Sequence, residues 1–243
     1  EFYDLIMNFI NNKKVKSINF GSNTFADISL KNISFFNNQS FAKLVIKNKV
    51  FSDFKINSLG LHQLLNCLAA VGVINHYNYD IKLALNELQN WEPREGRGRC
   101  VDLNFKTKLE TIKIKIIDES YNYNPTSLNA SFEILKSISF KEKKTSSRKI
   151  AILGDMLELG KREKEFHRKI AKNINIKFFN TIHCVGSLMK ELYLELPEAK
   201  KGLLVEKSED LFSYILSNMK NGDIYLIKGS NSMGLSFIVN KLY

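Results

Sequence analysis

Cysteine is scarce in this chain of 243 residues, and the three that occur, Cys67, Cys100 and Cys184, are odd in number and far apart. They form neither a CxxC pair nor a Cys/His spacing of the kind that binds zinc, so buried, reduced thiols are expected. The apolar runs are too short to span a membrane, and no charged-then-apolar leader is seen at the start. From these absences we expect a cytoplasmic protein without membrane insertion and without a metal site of its own.

An aromatic and arginine-rich platform is also missing, although the formal net charge of +11 would suit an anionic partner. The basic residues are scattered, and their densest run, 141–149, lies between a predicted helix and a predicted strand with acidic residues nearby. A solvated, lysine-rich surface explains this charge best, and a phosphate-bearing substrate is the second explanation. No nucleic-acid partner is expected.

The composition is that of an ordinary globular protein, with 44% hydrophobic and 25% charged residues. The length allows one large domain or two small ones. The chain does not begin with methionine, and its first six residues have the pattern of a domain interior. We therefore expect a fragment of a longer protein.

The first ninety residues have the pattern expected at the end of an α/β unit. Four short segments, separated by Gly, Asn and Ser turns, predict strands over Val15–Phe20, Ala26–Phe35, Phe41–Ile46 and Val50–Ile56. The apolar spacing then becomes helical and predicts helices over Leu61–Ile74 and Asp80–Leu88, the second with Asp80 as its N-cap.

A charged segment with one proline and two glycines, 91–99, interrupts this pattern and predicts a hinge. Beyond it, strands and helices alternate, which predicts an α/β fold with a mostly parallel sheet and helices on both faces. The predicted strands are Val101–Phe105, Thr111–Ile117, Lys149–Leu153, Thr181–Val185, Gly202–Val205 and Asp223–Ile227. The predicted helices are Pro125–Ile138, Lys161–Ile174, Leu188–Leu194, Ser208–Met219 and Met233–Leu242. This organisation predicts one domain over residues 1–95 and a second over 96–243.

The densest group of polar side chains follows the predicted strand Thr111–Ile117. Residues 118–124 contain two carboxylates, two amides and two phenols, and they run into a helix that starts at Pro125 with Asn124 as its N-cap. Ligands of open α/β sheets bind at such strand-to-helix loops. A ligand site is the functional interpretation, and a solvated turn is the alternative.

A second strand-to-helix loop, 154–162, includes Asp155 and Glu158. Five residues lie between its glycines and Arg162 follows the lysine, so it is not a P-loop, which needs four intervening residues and a Ser or Thr. The two carboxylates would also repel an anion at a helix N-terminus. They favour an amine, a cation or a basic side chain as partner, and capping of the next helix is the equally supported alternative.

Smaller polar groups complete the candidates. His62 and Asn66 are four residues apart on one helical face, where a polar patch is the ordinary explanation and reading of a purine edge by the Asn66 amide is the functional one. Arg97 in the hinge would reach a phosphate or pair with a carboxylate. Lys228 and Ser230 follow a strand and would form a carboxylate pocket, although a turn explains the Gly and Ser.

Taken together, these motifs resemble the Mur ligases, and most closely those members that add D-alanyl-D-alanine to UDP-N-acetylmuramoyl-tripeptide. The resemblance runs from about Val15 to the end of the chain. Its motifs are a Gly-x-His…Asn helix start at 60–66, a Gly-Arg hinge at 96–97, the strand-end loop 118–125, a Gly-Asp-Met-x-Glu-Leu-Gly loop at 154–160 with His167 downstream, and a Lys-Gly-Ser turn at 228–232.

The resemblance implies the end of a central ATP-binding domain over 1–95 and a Rossmann-like domain that binds the incoming amine over 96–243. The implied reaction is ATP-driven amide formation through an acyl phosphate in peptidoglycan precursor synthesis, with Mg²⁺ as cofactor. The family's P-loop, its magnesium ligands and its UDP site have no counterpart in this sequence, so the chain alone is expected to be inactive. A monomer is expected, with pairing to a separate N-terminal fragment as an option.

The resemblance also implies residue roles. His62 and Asn66 would contact adenine, Arg97 the phosphates and Asp118 the ribose. Arg97, Asp118 and Asn122 would lie nearest the reaction and count as catalytic. The remaining positions complete the ATP-binding and dipeptide-binding sets: Tyr121 beside the nucleotide, and Asn124, Asp155, Glu158, Lys228 and Ser230 around the dipeptide.

Four positions depart from the family pattern, and they keep other functions open. Gln63 stands where Asn is usual, Glu119 where Asp is usual, Tyr123 where Ala is usual, and Asn231 where an Arg would give a bidentate guanidinium contact. The alternatives are a family member with a different amine donor, and a non-catalytic remnant or interaction module.

Overall fold

The protein forms two compact units in a computed structural model that describes residues 3–23, 25–106, 110–138 and 147–243. The first unit comprises residues 1–57 and 61–91, and the second comprises 58–60 and 92–243.

The first unit packs two helices against one face of a small sheet. Its sheet has the order β1-β2-β3-β4; β1 is parallel to β2, and the other neighbours are antiparallel. Apolar side chains of β2, β3 and β4 meet those of α2 and α3 in one buried cluster. The elements are α1 (Tyr3–Lys13), β1 (Phe20–Gly21), β2 (Ile28–Phe36), β3 (Gln39–Ile46), β4 (Lys49–Ile56), α2 (Leu61–His76) and α3 (Ile81–Asn90).

The predictions for this unit are mostly confirmed. Asp80 is the N-cap of α3, and its Oδ1 accepts hydrogen bonds from the backbone N–H groups of Lys82 at 2.8 Å and Leu83 at 3.2 Å. The predicted strand Val15–Phe20 is wrong, because only Phe20 lies in a strand. There Asn19 and Asp27 exchange side-chain-to-backbone hydrogen bonds of 2.7 and 2.9 Å, which extend the contact without a regular ladder. Helix α1 was not predicted.

The second unit is built on a six-stranded sheet of order β5-β6-β10-β7-β8-β9. Strand β5 is antiparallel to β6, and all other neighbours are parallel. The central strand β10 is buried along its whole length, as expected for a parallel strand covered on both faces. The strands are β5 (Arg99–Lys106), β6 (Thr111–Glu119), β7 (Lys149–Gly154), β8 (Thr181–Val185), β9 (Lys201–Val205) and β10 (Ile224–Lys228).

Helices cover both faces of this sheet. Side chains of α4, α5 and α6 belong to one buried cluster, and those of α7 and α8 belong to a second. The helices are α4 (Pro125–Ser137), α5 (Glu163–Ile170), α6 (Met189–Glu195), α7 (Ser208–Asn218) and α8 (Ser236–Leu242). The predicted α/β fold class, with a mostly parallel sheet flanked by helices, is confirmed.

Two boundaries differ from the prediction in ways that matter for the candidate site. Strand β6 continues through Asp118 and Glu119, because these residues still pair with Arg99 of β5 and Lys228 of β10. The predicted helix Lys161–Ile174 is broken into a 3₁₀ turn, α5 and a second 3₁₀ turn. Asn173 is the N-cap of the second 3₁₀ turn, and its side chain accepts a hydrogen bond from the Asn175 N–H at 2.9 Å.

A buried ion pair at the amino end of β10 provides a test of this packing. Asp223 is 1% exposed, and its carboxylate accepts hydrogen bonds from Arg148 Nε at 2.8 Å and from the Lys220 N–H at 2.8 Å. We expect Arg148→Met to lower the free energy of unfolding by about 3 kcal/mol, because it leaves a buried carboxylate without its cation. The measurement is urea unfolding followed by circular dichroism.

The matched control is Arg168→Met, which breaks the more exposed ion pair with Glu191 and should cost less than about 1 kcal/mol. Equal, small losses in both variants would contradict the importance of the Arg148–Asp223 pair.

A buried histidine makes stability depend on pH. Burial lowers the pKa of His183 to about 4, and its Nδ1 accepts a hydrogen bond from the Leu203 N–H at 2.9 Å. The unfolded chain therefore binds a proton first, and stability should fall as pH drops from about 6.5 towards 4, by roughly 3 kcal/mol in total. His183→Gln should remove this part of the pH dependence in urea unfolding, whereas His76→Gln, at an exposed position, should keep it. Identical profiles for all three proteins would refute the assignment.

Candidate functional site

Three neighbouring strands of the second unit end in the polar residues singled out from the sequence. In the sheet β10 lies between β6 and β7, and Lys228 pairs in register with Glu119 on one side and Leu153 on the other. The loops that follow β6, β7 and β10 therefore meet at one edge of the sheet, where ligands of such folds bind.

The hinge segment is fixed to the end of β6 by Asp118. This carboxylate is 1% exposed; its Oδ2 accepts a hydrogen bond from the Gly96 N–H at 2.7 Å, and its Oδ1 accepts from the Ser120 N–H at 3.1 Å and the Ser120 hydroxyl at 2.7 Å. Gly96 has φ +72°, and a Cβ there would lie 2.7 Å from the Tyr121 Cβ. Only glycine fits this conformation and this space.

The Arg97 guanidinium lies over the ring of Tyr121. Its guanidinium carbon lies 4.1 Å from the centroid of the Tyr121 ring, and both residues are exposed. The Tyr121 N–H donates to the Gly96 carbonyl at 3.1 Å, which fixes the backbone that carries the ring. A cation stacked on a ring keeps its charge and loses mobility, as suits a group that meets an anion.

Lys228 does not face the solvent. It is 0% exposed, and its Nζ donates to the Asn122 carbonyl at 2.9 Å and contacts the Glu119 carboxylate at 3.3 Å, with the Tyr123 ring 5.4 Å away. Burial lowers the pKa of Lys228, while the Glu119 charge and hydrogen bond oppose that shift. The Lys228 ammonium, which was predicted to bind the dipeptide carboxylate, therefore binds oxygen atoms inside the protein.

The loop after β6 ends at a helix cap. Asn124 is the N-cap of α4: its Oδ1 accepts from the Ser127 N–H at 2.8 Å, and its own N–H donates to the Ser127 hydroxyl at 3.1 Å. The predicted N-cap is confirmed, with Pro125 in the first turn. Asn122 is exposed, and its backbone carbonyl accepts a hydrogen bond from Lys228, whereas the side-chain oxygen of Asn124 caps the helix.

Asp155 joins the end of β7 to the start of α6. It is buried, and its two carboxylate oxygens accept hydrogen bonds from the Leu188 N–H at 3.2 Å and the Met189 N–H at 2.8 Å. Burial raises the pKa of Asp155, and these two hydrogen bonds act against the shift. A Cβ on Gly186 would lie 2.5 Å from this carboxylate, so glycine is required there. The capping alternative, which named the helix directly after this loop, is wrong for Asp155, because its carboxylate accepts from the start of α6 instead.

Glu158 and Ser230 lie on two loops that are tied together. The Ser230 hydroxyl accepts a hydrogen bond from the Leu157 N–H at 3.1 Å, and the Ser230 N–H donates to the Asp155 carbonyl at 3.3 Å. Glu158 follows with φ +63° and is exposed. A non-glycine residue in the left-handed region is uncommon and is found often at functional sites. The structure thus brings these two predicted residues to neighbouring positions.

The side chain of His167 is hydrogen-bonded to the loop that contains Asp155 and Glu158. It is fully buried; its Nε2 accepts a hydrogen bond from the Met156 N–H at 3.0 Å, and its Nδ1 lies 2.7 Å from the Glu163 carbonyl. This pattern fits the neutral tautomer with the proton on Nδ1, which donates to Glu163. His167 therefore shapes the backbone around Met156.

The two predicted adenine-contacting residues belong to the first unit. His62 and Asn66 lie one turn apart on α2, where His62 is half-buried and Asn66 is exposed. Gly60, with φ +110°, precedes the helix in a backbone conformation that favours glycine. Asn66 thus offers the edge of a ligand an exposed amide that can donate and accept hydrogen bonds.

Neither a protein-held metal nor a membrane span is found within the described ranges. The His, Cys, Asp and Glu side chains there form no group of three or more suited to a metal ion. The helices described are all too short or too polar to cross a bilayer.

Two functional contacts were missed from the sequence. The Glu119–Lys228 pair joins residues 109 positions apart, and Asp155 caps a helix that begins 34 positions later. For the Glu119–Lys228 pair the sequence does contain a signal. A lysine directly follows one apolar strand and an acidic residue directly follows another, and the two side chains meet when those strands are neighbours. Strand order was not predictable from the sequence, so this signal could not be used.

Comparison with known proteins finds a family whose profile matches this chain. The profile described as "Mur ligase, glutamate ligase domain" matches residues 106–231. Among curated relatives, the UDP-N-acetylmuramoyl-tripeptide–D-alanyl-D-alanine ligase of Rickettsia prowazekii is 25% identical over 98% of this chain and 50% of its own length. The enzyme of the same name from Buchnera aphidicola is 29% identical over 85% of this chain and 44% of its own length.

Solved structures show the same fold. A MurF ligase from Thermotoga maritima in complex with ADP superposes with a TM-score of 0.77 at 20% identity, covering 99% of this chain and 51% of that one. MurF from Acinetobacter baumannii superposes with a TM-score of 0.73 at 18% identity, covering 97% of this chain and 48% of that one. The chain thus spans about half the length of the proteins that it matches.

The Asp118 contacts generate a direct prediction. In Asp118→Asn one oxygen is replaced by an NH₂ group, so either the Gly96 or the Ser120 N–H loses its acceptor. We expect at least one of these amides to exchange about tenfold faster or more in hydrogen-exchange NMR, because a lost buried hydrogen bond costs roughly 1–3 kcal/mol. Asp210→Asn, at an exposed position on α7, should leave both amides unchanged. Unchanged exchange in both variants would show that Asp118 does not hold the hinge.

Proposed function

The chain belongs to the Mur ligase family, and from this we propose that it is part of an ATP-dependent amide ligase that adds D-alanyl-D-alanine to UDP-N-acetylmuramoyl-tripeptide. The observation that carries the proposal is the tie between the ends of β7 and β10, in which the Ser230 hydroxyl accepts from the Leu157 N–H beside exposed Glu158. The names of the curated relatives supply the substrates.

The proposed division of labour follows the two units. Residues 1–95 would be the end of the central ATP-binding domain, and 96–243 the domain that receives the dipeptide. The sequence contains no Gly-x-x-Gly-Lys-[Ser/Thr] loop, which grips the nucleotide phosphates in P-loop enzymes. We therefore propose that this chain does not catalyse ligation alone and acts with an N-terminal half that carries the loop, in the cytoplasm.

The nucleotide end of the proposal rests on half-buried His62 and on the exposed side chains of Asn66 and Arg97. His62 and Asn66 would contact adenine, and Arg97, held on the Tyr121 ring, would neutralise phosphate charge. Asp118 was expected to touch ribose, but its two oxygens accept hydrogen bonds from Gly96 and Ser120, so we assign it to shaping the backbone around Arg97. Mg²⁺ would need ligands beyond the described carboxylates, which form no suitable group.

The amine end of the proposal rests on Glu158 and Ser230. The exposed Glu158 carboxylate would attract the dipeptide amine, and Asn122, exposed on the neighbouring loop, would lie beside it. Asn231 is exposed at the start of a 3₁₀ turn directly after Ser230, where it offers a neutral amide to the dipeptide carboxylate. An amide binds a carboxylate more weakly than a guanidinium does, so weak dipeptide binding is expected.

This difference gives the test. We expect D-alanyl-D-alanine to shift the NMR amide signals of Glu158, Ser230 and Asn231 in the labelled 243-residue chain. Asn231→Arg should bind it about tenfold more tightly, because a charge-assisted pair is worth roughly 1.4 kcal/mol more than a neutral one. Asn231→Gln, which adds length without charge, is the matched control and should bind as weakly as the parent.

Further arms separate the alternatives. L-Alanyl-L-alanine, L-alanine and D-glutamate should cause smaller shifts than the D,D-dipeptide, and ATP with UDP-muramoyl-tripeptide should release no phosphate in the presence of this chain alone. Preference for another amine would replace the proposed donor with that one. Failure of every amine to shift these signals in the parent and in Asn231→Arg would favour a non-catalytic interaction module.

A further inference from the structure

We propose that Lys228 is a positioning residue: its buried ammonium holds the β6–α4 loop, residues 120–124, so that Tyr121 keeps Arg97 in place, and it does not bind the incoming dipeptide. The motif at 228–232 suggested a carboxylate pocket. The geometry points elsewhere, because the Lys228 side chain is 0% exposed and its Nζ already has two oxygen partners on the β6 side.

The β6–α4 loop is held independently at its two ends. At the start, Asp118 accepts from the Ser120 N–H and hydroxyl, and at the finish Asn124 forms a reciprocal cap with Ser127. These contacts are local, since each joins residues two or three positions apart. They fix where the loop begins and ends. Between them, Tyr121 is bonded to the Gly96 carbonyl and Tyr123 is buried in the core, which leaves the Asn122 peptide between these two points.

Lys228 fixes the middle of the loop from another strand. Its Nζ donates to the Asn122 carbonyl at 2.9 Å, and the Tyr123 ring lies 5.4 Å from the same nitrogen. Glu119 is the register partner of Lys228 in the sheet and supplies a counter-charge at 3.3 Å. A buried ammonium is stable only with such partners. The requirement of Lys228 for oxygen ligands therefore ties the loop to β10.

The constraint passes to Arg97 through Tyr121. Asn122 follows Tyr121 directly, and the Tyr121 N–H donates to the Gly96 carbonyl while its ring lies under the Arg97 guanidinium. When Asn122 is released from Lys228, Tyr121 keeps its hydrogen bond to Gly96 but loses the constraint on its other side, so the ring leaves the guanidinium more often. Lys228 then affects a residue 131 positions away without touching it or its ligand.

The functional meaning of this arrangement rests on the proposed role of Arg97 towards phosphate, but the test needs no catalysis. A guanidinium above a tyrosine ring has its side-chain protons shifted upfield by the ring current. NMR of the full 243-residue chain measures this displacement for Arg97 directly. A failure of dipeptide binding would overturn the proposed function and leave this measurement intact.

The decisive variant is Lys228→Met, which keeps the aliphatic stem and removes the ammonium. We expect the upfield displacement of the Arg97 side-chain protons to fall by at least half, with unchanged amide exchange in β7 and β8 as evidence of an intact fold. Glu119→Gln retains the bond to Asn122 and should lower the displacement less. Lys161→Met removes an exposed lysine and should leave it unchanged.

A measurement on the unmodified chain covers the case in which Lys228→Met does not fold. The Lys228 ammonium should give a slowly exchanging NMR signal that does not move when D-alanyl-D-alanine is added to saturation. The proposal is overturned if that signal moves with the dipeptide. It is also overturned if Lys228→Met folds with the Arg97 displacement intact and loses the dipeptide-induced shifts at Ser230.

Discussion

A lysine ammonium removed from water must find oxygen partners, and the carboxyl edge of the second unit is arranged around that requirement. Lys228 at the end of β10 takes a carbonyl and a carboxylate from the neighbouring β6 side. The buried carboxylate of Asp155 on β7 takes two N–H groups from the start of α6. Because each buried charge reaches into an adjacent loop, the loops are fixed to the sheet, and Arg97 and Glu158 stand at the surface on well-defined backbones.

Much of the fold could be predicted because it depends on local patterns. Alternating β-branched residues and helical apolar spacing gave the α/β alternation, and the caps at Asp80 and Asn124 have short-range signatures. The failures have physical reasons. Val15–Phe20 alternates like a strand but lies mostly outside the sheet, and residues 118–119, expected in a loop, remain paired because β5 and β10 extend beside them.

The candidate site was only partly predictable for the same reason. Sequence motifs located the polar residues, but not which of them face solvent. The charges that seemed most suited to ligands are those of Asp118, Asp155 and Lys228. In the structure all three make hydrogen bonds or ion pairs inside the protein. Whether a charge is buried is set by strand order and by helix placement, which bring together residues far apart in the sequence. Glu158 and Arg97 remain at the surface, and the proposed chemistry therefore depends on them.

We propose that the edge between β7 and β10 receives the amine donor while Lys228 stays internal. The decisive measurement is a crystal structure of this chain with D-alanyl-D-alanine. We expect the dipeptide amine beside Glu158, its carboxylate near Ser230 and Asn231, and Lys228 Nζ still on Asn122 and Glu119. A dipeptide bound at another surface, or one whose carboxylate contacts the Lys228 ammonium, would contradict it.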